Sequence, residues 1–181
     1  RGSGSGVILG ADGLVVTNAH VVSEGKGRRP TRDLRLTLPA GAVVAARLLA
    51  KDDGLDVAVL QIEAPDGELP ELPPIELGDS QVLRPGEWVM AMGYPWGVAG
   101  AAAGGIVIGA GPDLPESPGI GRDWIAVDLS LRPGYSGGPL VDHQGRLIGM
   151  STMMAGLDVG MAVPVHVIKE FVKEAIGGGS A

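Results

Sequence analysis

Short apolar runs, separated by glycine, proline and aspartate, are the feature of this sequence that most restricts its fold. Runs of about four to eight residues between turn residues are typical of β-strands, because helices need about ten or more. Leu34, Leu36 and Leu38 also alternate with polar residues, which indicates a strand with one buried face. The expected strands lie at 7–9, 14–17, 34–38, 43–49, 57–62, 88–92, 105–108, 124–127, 140–141, 147–153 and 161–163.

Residues 164–176 depart from this pattern and predict a helix. The segment begins with Pro164 and is followed by Gly177, and these residue types are favoured at the start and after the end of a helix. Its apolar side chains recur at helical spacing: Val165, Ile168, Val172 and Ile176. We therefore expect one amphipathic C-terminal helix on an otherwise all-β chain.

The spacing of the strands favours a β-barrel or sandwich over βαβ units, because turns are frequent and helical segments are rare. The proline-rich and acidic stretch 67–84 is interpreted as a crossover between two β-halves, residues 1–82 and 83–176. Residues 177–181 are interpreted as a flexible linker. The 31 glycines and 14 prolines are scattered between apolar runs, so they indicate turns rather than disorder.

Composition excludes several classes of function. A net charge of −7 without a sustained basic stretch argues against nucleic-acid binding. The absence of cysteine excludes disulfides, thiolate metal ligands and a cysteine nucleophile. With three scattered histidines, we expect neither a metal site nor a cofactor. No apolar run reaches the roughly 20 residues that span a bilayer. Because the chain begins with Arg1 rather than methionine, we expect a targeting segment outside it.

The sequence GYSGGP at 134–139 places three glycines and a proline around Ser136. Glycine loses the most backbone entropy on ordering, so this concentration indicates unusual dihedral angles or close approach. Ser136 also fits the G-x-S-x-G pattern of α/β-hydrolases, in which the serine opens a helix and its partners follow it. Here an apolar strand follows, and His143 and His166 are expected to face solvent. An esterase is therefore the weaker interpretation.

The order histidine, aspartate, serine fits His20, Asp56 and Ser136 much better. With their flanks, the sequence resembles the chymotrypsin-like serine proteases, and most of all the bacterial HtrA/DegP-like branch. This resemblance implies two packed six-stranded antiparallel β-barrels with a C-terminal helix. The matching stretches follow family order over residues 1–176: GSGVIL, GLVVTNAHVV, LDVAVLQI, LGDSQVLRPGEWVMAMGYPWG, GGIVIGA, VDLSLRPGYSGGPLVDHQGRLIGM and GMAVPV.

The resemblance implies a catalytic triad in which Ser136 is the nucleophile, His20 the general base and Asp56 the carboxylate that orients His20. A serine hydroxyl is a weak nucleophile until a neighbouring imidazole removes its proton. Histidine can accept that proton near neutral pH. A buried aspartate fixes the imidazole tautomer and stabilises the imidazolium.

The resemblance also places the oxyanion hole at Gly134, Tyr135 and Ser136, with the N–H groups of Gly134 and Ser136 as donors. Gly137 and Gly138 are expected to leave room for substrate. Tyr135 stands where the bacterial branch usually has asparagine. We expect its bulk to affect how the Gly134 peptide is oriented.

The resemblance further implies a substrate-binding pocket with Ser130 at its base and Leu131, Thr152 and Met154 as its walls. Because Ser130 is uncharged, we expect cleavage after valine, alanine, leucine or similar residues rather than after arginine or lysine. Arg132 replaces the family's usual asparagine. It would either contact neighbouring loops or be solvated, and we favour solvation.

The prediction from sequence is thus a serine endopeptidase that hydrolyses unfolded or damaged proteins outside the cytoplasm. The resemblance further implies a homotrimer, with a PDZ domain or a membrane anchor outside this stretch of chain. The alternative is a catalytically idle binding or sensing module that keeps the protease fold, with a collapsed loop at 134–136.

Overall fold

In the described part of the chain, thirteen strands and one α-helix form most of the regular structure. The computed structural model describes residues 3–24, 29–31, 33–64, 68–69, 71–114, 122–155 and 158–177. The strands are β1 (Val7–Ile8), β2 (Leu14–Thr17), β3 (Ser23–Glu24), β4 (Arg29–Pro30), β5 (Leu34–Thr37), β6 (Val43–Asp52), β7 (Val57–Ile62), β8 (Trp88–Gly93), β9 (Ala101–Gly111), β10 (Trp124–Asp128), β11 (Pro139–Asp142), β12 (Leu147–Met154) and β13 (Val159–Pro164), and the helix is α1 (Val165–Gly177).

The N-terminal half is an open five-stranded sheet. Its strand order is β1-β2-β7-β6-β5, and all neighbours are antiparallel. Val15, Leu60 and Leu38 are among the buried side chains on its inner face. The expected six-stranded barrel does not form in the described part of this half, because β3 and β4 pair with each other rather than with the sheet.

The C-terminal half is a closed antiparallel barrel of six strands, as expected. The order around the barrel is β10-β13-β12-β11-β8-β9, and its interior contains Val89, Ile125, Leu140 and Ile148. Strand β9 is longer than the expected strand at 105–108. Its flanking alanines and glycines pair with both β8 and β10, so neighbouring strands rather than apolar side chains define its ends.

One buried cluster joins both halves and the helix. It contains Val16 and Val57 from the first sheet, Trp124 and Met150 from the barrel, and Ile168 from α1. The all-β fold with a C-terminal helix is therefore confirmed, while the boundary between residues 82 and 83 stays a prediction. The expected linker lies mostly at 178–181, outside the described residues.

The crossover segment is held by both halves. Ile75 N–H donates to the carbonyl of Ile8 in the first sheet (3.2 Å), and Gly78 N–H donates to the carbonyl of Leu147 in the barrel (2.8 Å). Within the described ranges, no helix has the length and apolar character needed to cross a membrane.

His166 anchors the start of α1, so the expectation that it faces solvent is wrong. Its Nδ1 hydrogen-bonds to Ser80 Oγ (2.8 Å) and its Nε2 to Asp123 Oδ2 (2.9 Å). The His166 N–H also donates to Ser80 Oγ (3.2 Å). Ser80 Oγ thereby accepts one of the first backbone N–H groups of the helix, which have no partner within the helix. His143 is exposed, as expected.

The turn between β11 and β12 is closed by the carboxylate of Asp142. It accepts hydrogen bonds from Gln144 N–H (2.9 Å), Arg146 N–H (3.0 Å) and Arg146 Nε (2.9 Å). Burial alone would raise the pKa of Asp142, but the hydrogen bonds from Arg146 and Gln144 outweigh it and lower that pKa below the usual value. The folded state therefore favours the ionised carboxylate.

We predict that Asp142→Asn lowers the free energy of unfolding by about 1.5–3 kcal/mol at pH 7, the usual range for hydrogen bonds to a charged group. The folded pKa lies below the unfolded value of about 3.9, so this stabilisation is fully present above the unfolded pKa and is lost as the pH falls through the folded one. Urea denaturation at a series of pH values measures it. The difference between the native chain and the variant should shrink on acidification below about pH 4. The exposed Asp128 supplies the control, Asp128→Asn. A difference that stays constant down to pH 2 would contradict this account.

Candidate active site

The loop between β10 and β11 holds Ser136 between two tight turns. Tyr135 N–H donates to the carbonyl of Arg132 (3.1 Å), and Gly138 N–H donates to the carbonyl of Tyr135 (2.8 Å). Gly134 and Gly137 have φ angles of +107° and +83°, a region that other residues rarely adopt. The chain can therefore change direction on each side of Ser136.

Gly137 and Gly138 lie so close to other backbone segments that neither position has space for a side chain. A Cβ atom on Gly137 would overlap the carbonyl oxygen of Ser5, and one on Gly138 would overlap the carbonyl oxygen of Met92. The space beside these glycines is occupied by backbone from the first half and from β8. The structure thus gives a different reason for both glycines than the expected room for substrate.

His20 and Asp56 meet because they lie at adjacent ends of neighbouring strands. His20 follows β2, Asp56 precedes β7, and the two strands pair antiparallel with Thr17 opposite Ala58. His20 Nδ1 lies 2.9 Å from Asp56 Oδ2 and 3.0 Å from Oδ1. The His20 backbone N–H also donates to Oδ1 (3.1 Å). One carboxylate therefore orients both the ring and the backbone of His20.

Asp56 is buried, with 7% of its surface exposed, and in the described part of the chain its carboxylate is hydrogen-bonded by His20 and Thr152. The Thr152 hydroxyl donates to Oδ2, and Asn18 Nδ2 donates to the Asp56 carbonyl (3.0 Å). Burial alone would raise the pKa of Asp56. Hydrogen bonds from His20 and Thr152 outweigh that effect and hold the pKa below its usual value. The carboxylate is therefore ionised at neutral pH.

Arg122 supports the segment that precedes Asp56 from the other half of the molecule. Its guanidinium donates to the carbonyl oxygens of Gly54 and Leu55, and it lies 4.1 Å from the centroid of the Trp124 ring. Burial lowers the pKa of Arg122, and the nearby Asp56 carboxylate partly offsets this. Arg122 thus carries a half-buried positive charge close to the buried negative charge of Asp56.

The hydroxyl of Ser136 is bound to Thr152 rather than to His20. Ser136 Oγ donates to the Thr152 carbonyl (2.8 Å), and among the described residues it makes no hydrogen bond to His20. Thr152 therefore connects the predicted triad, with its hydroxyl on Asp56 and its carbonyl on Ser136. The structure thus brings the three residues together. His20 is bonded to Asp56, and both Asp56 and Ser136 are bonded to Thr152.

Two backbone N–H groups near Ser136 are candidates for the donors of the oxyanion hole. In the part of the chain that the structure describes, neither Gly134 N–H nor Ser136 N–H has a hydrogen-bond acceptor. Tyr135 N–H, by contrast, donates to the Arg132 carbonyl. Of the three residues assigned to the oxyanion hole, Tyr135 therefore has no free donor to offer, and the assignment of the Gly134 and Ser136 N–H groups as donors stays a prediction. The Tyr135 side chain is only 6% exposed and packs inside the barrel.

The residues expected to form the substrate pocket lie close together but are partly engaged elsewhere. Leu131 N–H donates to the sulfur of Met154 (3.0 Å), so these two are neighbours. The Thr152 hydroxyl is used by Asp56 and is not available to line a pocket. Ser130 Oγ donates to Asp158 Oδ1 (2.5 Å), and both residues are exposed. A carboxylate that sequence reasoning did not include thus lies beside the proposed pocket base.

Arg132 is exposed to solvent, as favoured, and it also contacts a neighbouring loop. Its guanidinium lies 4.9 Å from the centroid of the Trp96 ring, in the range of a cation–π interaction. Trp96 is 74% exposed and has a left-handed φ of +53°. This contact links the Ser136 loop to the loop between β8 and β9.

Sequence reasoning gave no role to Ser5, Asn18 or Arg122, although all three contact backbone at the site. Ser5 and Asn18 lie within two of the stretches that carried the family resemblance. Their place in those stretches was the sequence signal that could have identified them. Arg122 lies in no such stretch. It acts on backbone carbonyls that are distant in sequence, so no local pattern could have identified it.

Comparisons with known proteins agree with this geometry. A family described as "Trypsin-like peptidase domain" matches residues 4–150. The chain is 36% identical over 182 residues to the "Probable periplasmic serine endoprotease DegP-like" of Brucella suis biovar 1 (strain 1330), covering 98% of this chain and 33% of that protein. It is 36% identical over 172 residues to "Serine protease HTRA2, mitochondrial" of Bos taurus, covering 94% of this chain and 35% of that protein.

Solved structures give the same answer. The structure "HtrA-type protease AlgW with decapeptide" superposes with a TM-score of 0.82 at 31% identity, covering 97% of this chain and 52% of that one. The chain spans about a third of the length of the curated relatives described above. One family accounts for these similarities, for the His20–Asp56 pair and for the free N–H groups beside Ser136. The chain belongs to the trypsin-like peptidases, within their HtrA/DegP-type branch of serine proteases.

Proposed function

We propose that this chain is a serine endopeptidase domain in which Ser136, His20 and Asp56 form the catalytic triad. Ser136 Oγ attacks the substrate carbonyl carbon while its proton passes to His20 Nε2. The tetrahedral intermediate collapses when His20 returns that proton to the leaving amine, which leaves an acyl-enzyme. Water then attacks the acyl carbon while its proton passes to His20 Nε2. When His20 returns that proton to Ser136 Oγ, the acid product leaves and the free serine is restored. The N–H groups of Gly134 and Ser136 stabilise the oxyanion in each intermediate.

The observation that carries this proposal is the buried, ionised Asp56 carboxylate on His20 Nδ1. A carboxylate at Nδ1 holds the N–H there, so Nε2 is the ring nitrogen left to accept a proton. It also stabilises the imidazolium that forms when the proton arrives. His20 has about half of its side chain exposed (49%), so substrate can approach it.

One observation favours the alternative, a catalytically idle module with this fold. The Ser136 hydroxyl donates to the Thr152 carbonyl, and it must leave that acceptor before it can donate to His20. Against a collapsed loop, the N–H groups of Gly134 and Ser136 have no acceptor among the described residues. The esterase alternative is not supported, because β11 rather than a helix follows Ser136.

We extend the proposal to unfolded or damaged proteins as substrates and to a location outside the cytoplasm. The Brucella relative is named a periplasmic endoprotease, and the AlgW structure contains a decapeptide. A PDZ domain or a membrane anchor elsewhere in the protein remains part of the proposal. Extended polypeptides suit such a site, because they can pair with an exposed strand edge.

Activity-based labelling tests the proposed triad. We expect a fluorophosphonate to label the native chain and not Ser136→Ala, because the reagent reacts with an activated serine. Asp56→Asn should lower turnover of an unfolded protein substrate by about 10⁴-fold, as loss of the orienting carboxylate does in a related enzyme. The exposed His143 provides the control, and His143→Ala should label like the native chain. Absence of labelling in the native chain between about pH 6 and pH 9 would instead support the idle module.

We also propose that the pocket formed around Leu131 and Met154 prefers small or medium aliphatic side chains at P1, the substrate residue whose carbonyl is attacked. Leu131 is buried and Met154 adapts to several apolar shapes. Asp158 is the feature that opposes this preference. Its carboxylate accepts from Ser130, and a negative charge at that point would attract arginine or lysine.

Peptide substrates that differ only at P1 separate these two effects. We expect valine, alanine and leucine substrates to be cleaved faster than an arginine substrate, because the walls are apolar. Asp158→Asn should leave aliphatic turnover within about twofold, since only a charge is removed. Faster cleavage after arginine in the native chain, lost in Asp158→Asn, would reverse the proposed preference.

A homotrimer is the assembly we propose, and an exposed apolar surface on the barrel supports association. Trp88 of β8 lies opposite Ile106 of β9, and its ring covers Gly104. Trp88, Ile106 and Ile108 are 56%, 45% and 47% exposed. Contiguous exposed apolar side chains of this size are typical of surfaces that bind another protein.

Light scattering after size-exclusion chromatography tests this assembly. The native chain should elute with three times the mass of one chain, and Trp88→Glu should shift it to one chain, because a buried unpaired charge opposes association. Trp96→Glu is the matched control, since Trp96 is more exposed but lies on the loop between β8 and β9 rather than on β8 itself. A native chain that is monomeric at all concentrations, or a Trp88→Glu variant that still forms trimers, would contradict the proposal.

A further inference from the structure

The N-terminal segment before β1 lies directly against the Ser136 loop. Ser5 Oγ donates to the carbonyl of Gly134 (2.7 Å), and Ser5 N–H donates to the carbonyl of Ser136 (2.8 Å). These two carbonyls belong to the two residues whose N–H groups are free. A single residue from the other half of the molecule therefore binds both residues of the proposed oxyanion hole.

Ser5 is itself held firmly by the first sheet. The Thr17 hydroxyl donates to the Ser5 carbonyl (2.6 Å), and Thr17 is the last residue of β2. Strand β1 begins two residues after Ser5 and pairs with β2. The Ser5 hydroxyl also lies only 3.1 Å from the position that a Cβ atom on Gly93 would take. Ser5 thus links the Ser136 loop to a rigid element.

Because the peptide group is planar, a hydrogen bond that holds a carbonyl also restrains the direction of nearby N–H groups. Fixing the Gly134 carbonyl fixes the plane of the peptide that joins Gly134 to Tyr135. Fixing the Ser136 carbonyl fixes the plane of the peptide after Ser136. The Ser136 N–H belongs to the peptide between those two planes, so its direction is restricted on both sides. Gly134 has a positive φ, and glycine can adopt more backbone conformations than other residues. Without such restraint the loop would not keep one orientation.

We propose that Ser5 is a positioning residue for the oxyanion hole and that its hydroxyl, through the Gly134 carbonyl, restrains the orientation of the Ser136 N–H group. The inference rests on the proposed endopeptidase function. Tyr94 N–H also donates to the Gly134 carbonyl (3.0 Å), so loss of the Ser5 hydroxyl removes one of two restraints there. Removal of a complete oxyanion donor costs about 10²–10³-fold in turnover. Loss of one restraint on the donors should cost less, about tenfold.

Ser5→Ala tests the role of the hydroxyl, and Ser3→Ala is its matched control. Ser3 is an exposed serine two residues away, so the same atom is removed from the same segment. For each chain we would measure kcat and KM on an aliphatic peptide and the affinity for a peptide boronic acid. The boronate forms a tetrahedral adduct with Ser136 and places an oxygen in the hole.

We expect Ser5→Ala to lower kcat about tenfold and boronate affinity by a similar factor, with KM changed less than twofold, because the hole acts on the tetrahedral state. Ser3→Ala should match the native chain. Thr17→Val, which frees the Ser5 carbonyl without touching its hydroxyl, should give a smaller loss of the same kind. If Ser5→Ala fails to fold, judged by circular dichroism, Thr17→Val decides by the same split between kcat and KM.

Two results would overturn this inference. One is a Ser5→Ala chain with native kcat and boronate affinity, and the other is a loss expressed in KM alone. An inactive native chain that fluorophosphonate does not label would instead reject the proposed function, and the role of Ser5 with it. Activity in the native chain and in Ser3→Ala separates these cases.

Discussion

The buried carboxylate of Asp56 links the two halves of this molecule. A buried charge without partners costs several kcal/mol, so the fold must supply donors to it. One donor, His20, comes from the end of a neighbouring strand in the first half, and another, Thr152, comes from the barrel. Because the Thr152 carbonyl also binds Ser136, stabilising one charge brings all three proposed catalytic residues into one place.

A second group of serine, histidine and aspartate shows that these residue types alone do not make a catalytic site. Ser80, His166 and Asp123 are joined by hydrogen bonds of 2.8 and 2.9 Å. Ser80, however, is 4% exposed and accepts the N–H of His166 at the start of α1. No substrate can reach a hydroxyl so placed. Ser136 differs because glycines with positive φ flank it and free N–H groups lie beside it.

The sequence predicted those features that depend on local pattern or on motif order. The alternation in β5, the apolar spacing of α1 and the meeting of His20 with Asp56 all belong to this class. It could not predict the full length of β9, whose alanines and glycines have no apolar period and are ordered by neighbouring strands. Nor could it predict the contacts of Arg132 and His166, because their partners are distant in sequence.

Tyr135, the departure from the family pattern, explains why the loop is restrained unevenly. Its side chain is buried in the barrel, so its bulk is accommodated by the core rather than by the loop. That placement brings the Tyr135 Cα within 2.9 Å of where a Cβ on Gly93 would lie, which accounts for glycine there. The barrel core thus restrains the loop at Tyr135. Ser5 restrains it through hydrogen bonds to the carbonyls of Gly134 and Ser136. The peptide between Pro133 and Gly134 has neither restraint, since its carbonyl and its N–H make no hydrogen bond with any described residue. Adjustment of the oxyanion hole is therefore easiest at that peptide.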